Sequence, residues 1–407
     1  MSDNGSSTAA GTAGADPGLL PLLPPGKHLS MITGFDSYPA AAQRVVDARW
    51  DEALANGVDT GRLQVPWDEL EPEPGRFDLA KLEVRLARMA AMGLQTFVTI
   101  KTLDSADTLC LPGDLRGKSF GDSEVLRRFR RLLTETVPLL CDKGVYCLSV
   151  GNEPAGYLSE RPDETEPVAL FIAEAREAVR KLESRLAVTM TMDVFPVRPW
   201  LPTLLDQCDV ACVNYYCIDA RTLRAKDAAS LDEDMDTILE QCGSRSVIFQ
   251  ELGMPAGYQH QDSPMMSAPD VQKAVVSRSV SRLVEEPTFR CAYWFQLMDW
   301  SEQMTDLLLD VLRLRHHPPD WIARFVEWLR TSGLCCYQQP GRRDGSARPA
   351  WGEFLRAAKH VSATRPAPPT GGASFTSHVT IDAYLERTDR CYACSWFDDC
   401  QAPCALA

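Results

Sequence analysis

The sequence lacks several features that would narrow its function to familiar classes. Nowhere in its 407 residues does an uninterrupted apolar run approach the roughly 20 residues that span a bilayer. The short run Leu19-Leu20-Pro21-Leu22-Leu23 is broken by its own proline. It has no basic stripe either: 42 Lys and Arg stand against 56 Asp and Glu, a net charge of −14. That balance argues against nucleic acid or an anionic membrane as partner and leaves neutral polyhydroxylated compounds open. No glycine-rich phosphate loop follows an early strand, which counts against a nucleotide-binding fold. The first residues, rich in Ser, Gly, Ala and Asp, have no basic start of a secretory leader, so a cytoplasmic protein is expected.

A chain of this length, 45% hydrophobic and 24% charged, needs no disulfides to hold its core. Of its 14 cysteines, Cys147, Cys212 and Cys291 lie inside apolar runs and read as small buried hydrophobes. Cys391, Cys394, Cys400 and Cys404 are different, crowded into a short tail. They fit a small zinc site, two disulfides or an unstructured tail; the short middle spacer and the absence of a nearby histidine weigh against zinc.

What the sequence does contain is an alternation. Short apolar runs that fit fully buried strands alternate with longer amphipathic stretches. The strands are expected at 28–34, 59–65, 94–100, 145–150, 186–193, 209–214, 246–250 and 290–296. Helices are expected at 41–55, 79–92, 123–142, 167–183, 200–207, 231–241, 270–285 and 321–329. Eight strand–helix units imply a parallel sheet with crossover helices, closed as a (β/α)8 TIM barrel. Three segments follow: a disordered head at 1–25, the barrel at 26–360, and a Pro/Ala/Thr/Gly linker with the Cys-rich tail at 361–407.

Two glutamates stand where strands of such a barrel would end. Glu153 follows the fourth run in Val150-Gly151-Asn152-Glu153-Pro154, and Glu251 follows the seventh in Ile248-Phe249-Gln250. Reactive groups of a (β/α)8 barrel project from the C-terminal ends of its strands. Two acids from opposite sides of one narrow mouth can approach to about 5–5.5 Å, the separation of a retaining glycosidase. Either glutamate alone would equally suit a surface loop.

With these residues in place, the chain resembles the retaining (β/α)8 glycoside hydrolases of clan GH-A. The resemblance implies Glu153 as acid/base, Asn152 as the ligand of the sugar 2-hydroxyl, and Glu251 as nucleophile. Arg62 matches the clan's strand-two arginine, and residues 67–78, beginning at Trp67, are similar to its loop after strand two. Asn214-Tyr215-Tyr216 ends strand six, where the clan places a phenol beside the nucleophile; the register favours Tyr216. Trp294 falls in strand eight, where a tryptophan often floors the first sugar subsite. Trp294 and Trp67 have flat faces for a sugar ring and are equally suited to filling a core. Asp36, after strand one, is a candidate ligand of sugar hydroxyls.

The resemblance implies double displacement on a carbohydrate with no metal or organic cofactor. Glu153 should carry a raised pKa, and Glu251 a low one beside Arg62. Lys101, at the end of strand three, departs from the clan and would suit an acidic or sulfated sugar, or merely be a surface lysine. A carbohydrate-binding barrel without turnover and a transglycosylase on the same site are the competing readings.

Overall fold

The computed structural model describes residues 23–33, 38–105, 107–182, 185–258 and 263–366. Asp36, head residues 1–22 and the four tail cysteines lie outside the described residues. Eight strands form one sheet: β1 (His28–Met31), β2 (Thr60–Pro66), β3 (Gln95–Lys101), β4 (Val145–Asn152), β5 (Ala187–Asp193), β6 (Ala211–Tyr216), β7 (Val247–Gly253) and β8 (Phe289–Trp294). All are parallel and pair in chain order from β2 round to β8, and β8 then pairs with β1. Helices fill the connections, as expected of a TIM barrel. Among the described residues no helix is long and apolar enough to cross a membrane.

Alternation along the strands separates two cores. Val98, Ile100, Leu148, Val188, Val213, Phe249 and Trp294 pack in the layer between strands and helices. Phe97, Cys147, Cys212, Ile248, Cys291 and Tyr293 form a second cluster on the other strand face, plugging the barrel. The Tyr146 and Tyr293 hydroxyls meet there at 2.8 Å. The next positions along the same inward face are polar and buried: Thr99, Ser149, Thr191 and Gln250. Buried polar atoms need partners. Thr99 and Thr191 donate to Gln250 Oε1 at 2.7 and 2.6 Å, and Ser149 meets Thr191 at 3.0 Å.

No ladder joins β1 to β2 among the described residues. Side chains hold that seam instead. Ser30 donates to the Thr60 carbonyl at 2.6 Å, and His28 Nδ1 lies 2.9 Å from Asp59. Arg365 reaches the same place, 2.6 Å from Asp59 and donating to the Lys27 carbonyl at 2.9 Å. It follows a helix, Pro349–Ala363, that packs Trp351, Phe354, Ala358 and Val361 inward. The expected linker start at 361 is therefore corrected: a buried apolar stripe keeps this stretch helical to Ala363.

Arg348 caps the approach to that helix with a bidentate pair to Asp299, at 2.7 and 2.8 Å, both side chains buried. Removing the guanidinium leaves a buried, uncompensated carboxylate. We expect Arg348→Met to lower unfolding free energy by about 3–5 kcal/mol in urea titrations. A loss below about 1 kcal/mol would show that this pair does not secure the terminal helix.

Candidate active site

Two β-bulges aim the mouth of the barrel. In β4 the pairing with β5 jumps from Ser149–Thr189 to Asn152–Thr191. In β7 it jumps from Val213–Phe249 to Asn214–Glu251, and the other neighbour, β8, shows the same break. An extra residue in one strand resets which way the following side chains point. Gln250 and Glu251 therefore both reach polar partners of the barrel interior, although they are adjacent in sequence. Two glycines make room. A Cβ on Gly151 would stand 2.8 Å from the Met190 methyl, and one on Gly253 2.9 Å from the Tyr216 ring. Glu153 itself has φ 51°, a left-handed conformation that costs a non-glycine residue about 1–3 kcal/mol.

The two carboxylates share one cavity but have different neighbours. Arg62 Nη2 donates to Glu251 Oε1 at 2.6 Å, and the Tyr216 hydroxyl donates to Oε2. Glu153 accepts from the Asn214 amide at 2.8 Å and from the Ser105 hydroxyl, with no cation among these partners. Burial, then the charges of Glu251 and Asp193, push the Glu153 carboxyl up to about 8. Asp193, half-buried at the end of β5, is itself raised to about 6 by desolvation. The low pKa expected for Glu251 is corrected. Burial raises it, with Arg62 and Tyr216 pulling against that rise.

Asn152 stands at the centre of a network. Its amide donates to Asp104 at 2.8 Å, while its carbonyl accepts from Gln250 at 3.1 Å and Asn214 at 3.3 Å. Lys101 is buried against Asp104 at 2.5 Å. Its charge is thus already balanced, which corrects the reading of Lys101 as a site for an acidic sugar. Ser105, Asp104, Gln250 and Asp193 had no part in the sequence-based site. Ser105 and Asp104 lie on an insertion after β3, and Gln250 reads as a strand residue until the bulge is seen.

The structure brings Arg62, Asn152, Glu153, Asn214, Tyr216 and Glu251 together. Two tryptophans are elsewhere. Trp294 is buried among the strand–helix residues, because it alternates with Tyr293 and Phe295; Phe295 lines the cavity in its place. Trp67 is also in the core, edge-on to Phe129 and donating to Glu71 at 2.9 Å. Both expectations of sugar stacking are corrected. Tyr215 likewise points outward, donating to Asp234 at 2.7 Å.

The cavity measures about 260 Å³. Its polar wall is made by the strand ends, and its other wall by aromatic and aliphatic residues of 295–329. Among the described residues no group of three or more His, Cys, Asp or Glu is arranged to hold a metal ion.

No protein-family model and no curated protein matches the sequence. Solved structures do match in shape. A GH5_18 protein from Bifidobacterium longum subsp. longum superposes with a TM-score of 0.61 at 17% identity, covering 84% of this chain and 81% of its own. An exo-β-1,4-mannosidase from Opitutaceae bacterium strain TAV5 gives 0.61 at 13%, covering 83% and 60%. The chain has the fold of these glycoside hydrolases. A β-glucosidase matches at 0.54 and 14%, covering 80% and 89%. That shared glycoside hydrolase fold is the (β/α)8 barrel expected from the sequence.

The Glu153 environment makes a prediction that needs no substrate. With a pKa near 4.5 unfolded and about 8 folded, Glu153 remains neutral in the native state while the unfolded chain ionises. Its contribution to stability is full below about 4.5 and is lost as pH rises through about 8. Glu153→Gln cannot ionise, so its stability relative to wild type should rise between pH 5 and pH 9. One pKa unit is worth about 1.4 kcal/mol, which sets a ceiling of about 5 kcal/mol on that gain. Urea unfolding at both pH values checks it; a difference independent of pH would mean Glu153 ionises normally.

Proposed function

We propose that this chain is a retaining β-glycoside hydrolase of clan GH-A, its hydrolase domain running from residue 26 through the helix that ends at Ala363. The observation that carries the reading is the asymmetry of the two carboxylates. Glu251 has a guanidinium and a phenol to keep it ionised, and Glu153 has only neutral donors and a pKa raised to about 8. A carboxylate beside a carboxylic acid in one cavity is the pairing that double displacement requires.

In the first step Glu251 attacks the anomeric carbon while Glu153 gives its proton to the departing oxygen. A glycosyl–Glu251 ester forms and the aglycone leaves. Glu153, now a carboxylate, takes a proton from water, which attacks the same carbon and releases Glu251. Asn152, already oriented by Asp104, Gln250 and Asn214, would hold the sugar 2-hydroxyl. Structures of the same fold bound to Manβ1-4GlcNAc support a β-linked neutral sugar as substrate. The balanced Lys101–Asp104 pair fits that chemistry better than an anionic one.

Hydrolysis of aryl β-glucosides and β-mannosides tests the proposal. Glu251→Gln should lose about 10³-fold or more, and a 2-fluoro glycoside should label Glu251 in peptide mass spectra. Glu153→Ala should recover turnover of activated substrates with azide, giving the β-glycosyl azide. In the wild type, kcat/KM should fall as pH rises through about 8, where the free enzyme loses the Glu153 proton. Turnover surviving both substitutions sinks the assignment, and inverted product would exclude a covalent intermediate. Sugar binding without turnover would favour the carbohydrate-binding reading, and transfer to an added sugar in preference to water the transglycosylase.

A further inference from the structure

The cavity changes chemistry from one wall to the other. Gln64, Lys101, Asp104, Asn152, Glu153 and Glu251 come from strand ends and the turn after β3. The opposite wall belongs to the segment after β8, which forms helices Glu302–Val311 and Pro319–Thr331. The second helix contributes aromatic rings, including Trp321 and Trp328; Trp328 packs edge-on to Tyr216 at 4.8 Å. Aromatic faces near the carboxylates suit the C–H face of a sugar.

The first helix is not accounted for by a sugar. Met304, Leu307, Leu308 and Val311 line the cavity at i, i+3, i+4 and i+7, an unbroken aliphatic stripe. Its fully buried residues, Thr305 and Leu309, lie on a different side, while Met304 and Leu308 of the stripe are partly buried against the core. The stripe is half-buried, and Val311 at its end is 43% exposed. Aliphatic side chains have no π-face for a sugar and no donor for its hydroxyls; they gain by removing hydrocarbon from water. Because the stripe is continuous with the cavity that holds Glu153 and Glu251, the group it covers is part of the same ligand.

We propose that the substrate is an amphiphile: a β-glycoside whose aglycone is a hydrocarbon chain, seated along the Glu302–Val311 helix. This rests on the glycosidase reading of the same cavity. The stripe runs about 10 Å at 1.5 Å per residue, the length of an extended octyl chain.

The test is a chain-length series on the wild-type protein: methyl, butyl and octyl β-D-glucosides and β-D-mannosides, below their micelle concentrations, with the aryl glycosides as reference. Full burial of each methylene is worth about fourfold in binding. The half-buried stripe should raise kcat/KM from methyl to octyl at least about 30-fold, a fraction of that limit. In Leu308→Asn the octyl-to-methyl ratio should drop about tenfold or more; a merely structural defect would lower both rates and leave the ratio unchanged. Equal rates for methyl and octyl glycosides, with aryl glycosides cleaved, overturn this inference and leave the glycosidase reading standing. No turnover of any glycoside removes both. If the stripe instead joins two copies of the chain, Leu308→Asn will convert a dimer to a monomer in sedimentation while the ratio stays near one, which also overturns it.

Discussion

The ion pair between Arg62 and Glu251 sets the terms for the rest of the barrel mouth. It joins β2 to β7 inside the barrel, with both side chains buried. A buried carboxylate without its cation would take up a proton, and a buried guanidinium without its anion would carry a large desolvation cost. Each therefore holds the other in one position. The cation reaches Glu251 from one side, at Oε1, leaving its second oxygen to Tyr216. Glu153, raised first by burial and then by the charge of Glu251, has only an amide and a hydroxyl to pull against that rise and is pushed up to about 8. Burial raises both acids, and one arginine opposes that rise at Glu251.

Around that pair the barrel and its additions divide the work. Strands supply rigid polar positions: the Thr99–Gln250–Thr191 bonds fix Gln250, which with Asn214 and Asp104 fixes Asn152. Bulges and two tight glycines, Gly151 and Gly253, let these side chains share a small space. The segment after β8 adds what a barrel alone lacks, an apolar wall over a polar floor. The result is a cavity with two solvents' worth of character within about 260 Å³.

Much of this was legible in the sequence because parallel strands, buried on both faces, read as plain apolar runs. The helix over residues 123–142 appears as Ser123–Asp142, and the strand that leads into Glu153 begins at Val145 as expected. The inward turn of Tyr216 rather than Tyr215 matches the register that the resemblance implied. What failed did so by one residue or by one insertion. Trp294 lies one position away from the cavity, and a strand pattern cannot reveal which of two adjacent aromatics faces in. The bulges at Gly151 and Gln250 leave no mark in composition. The Glu302–Val311 helix is missing from the elements expected from the sequence, since its apolar residues are spread over two faces and blur a single stripe. The stripe of Pro349–Ala363 is spelled partly in alanine, which carries little hydrophobic contrast.

The seam between β1 and β2 has a consequence for how the molecule is made. Its staple comes from the far end of the fold, since Arg365 reaches back to Asp59 and Lys27. Strands β1 and β2 precede the helix Pro349–Ala363 by about 300 residues, so the Arg365 staple can be added to their seam only after that helix is made. Until β8 is made and pairs with β1, a sheet of these strands has two open edges, a feature that exposes a chain to aggregation. The last helix among the described residues thus carries the latch that completes the seam.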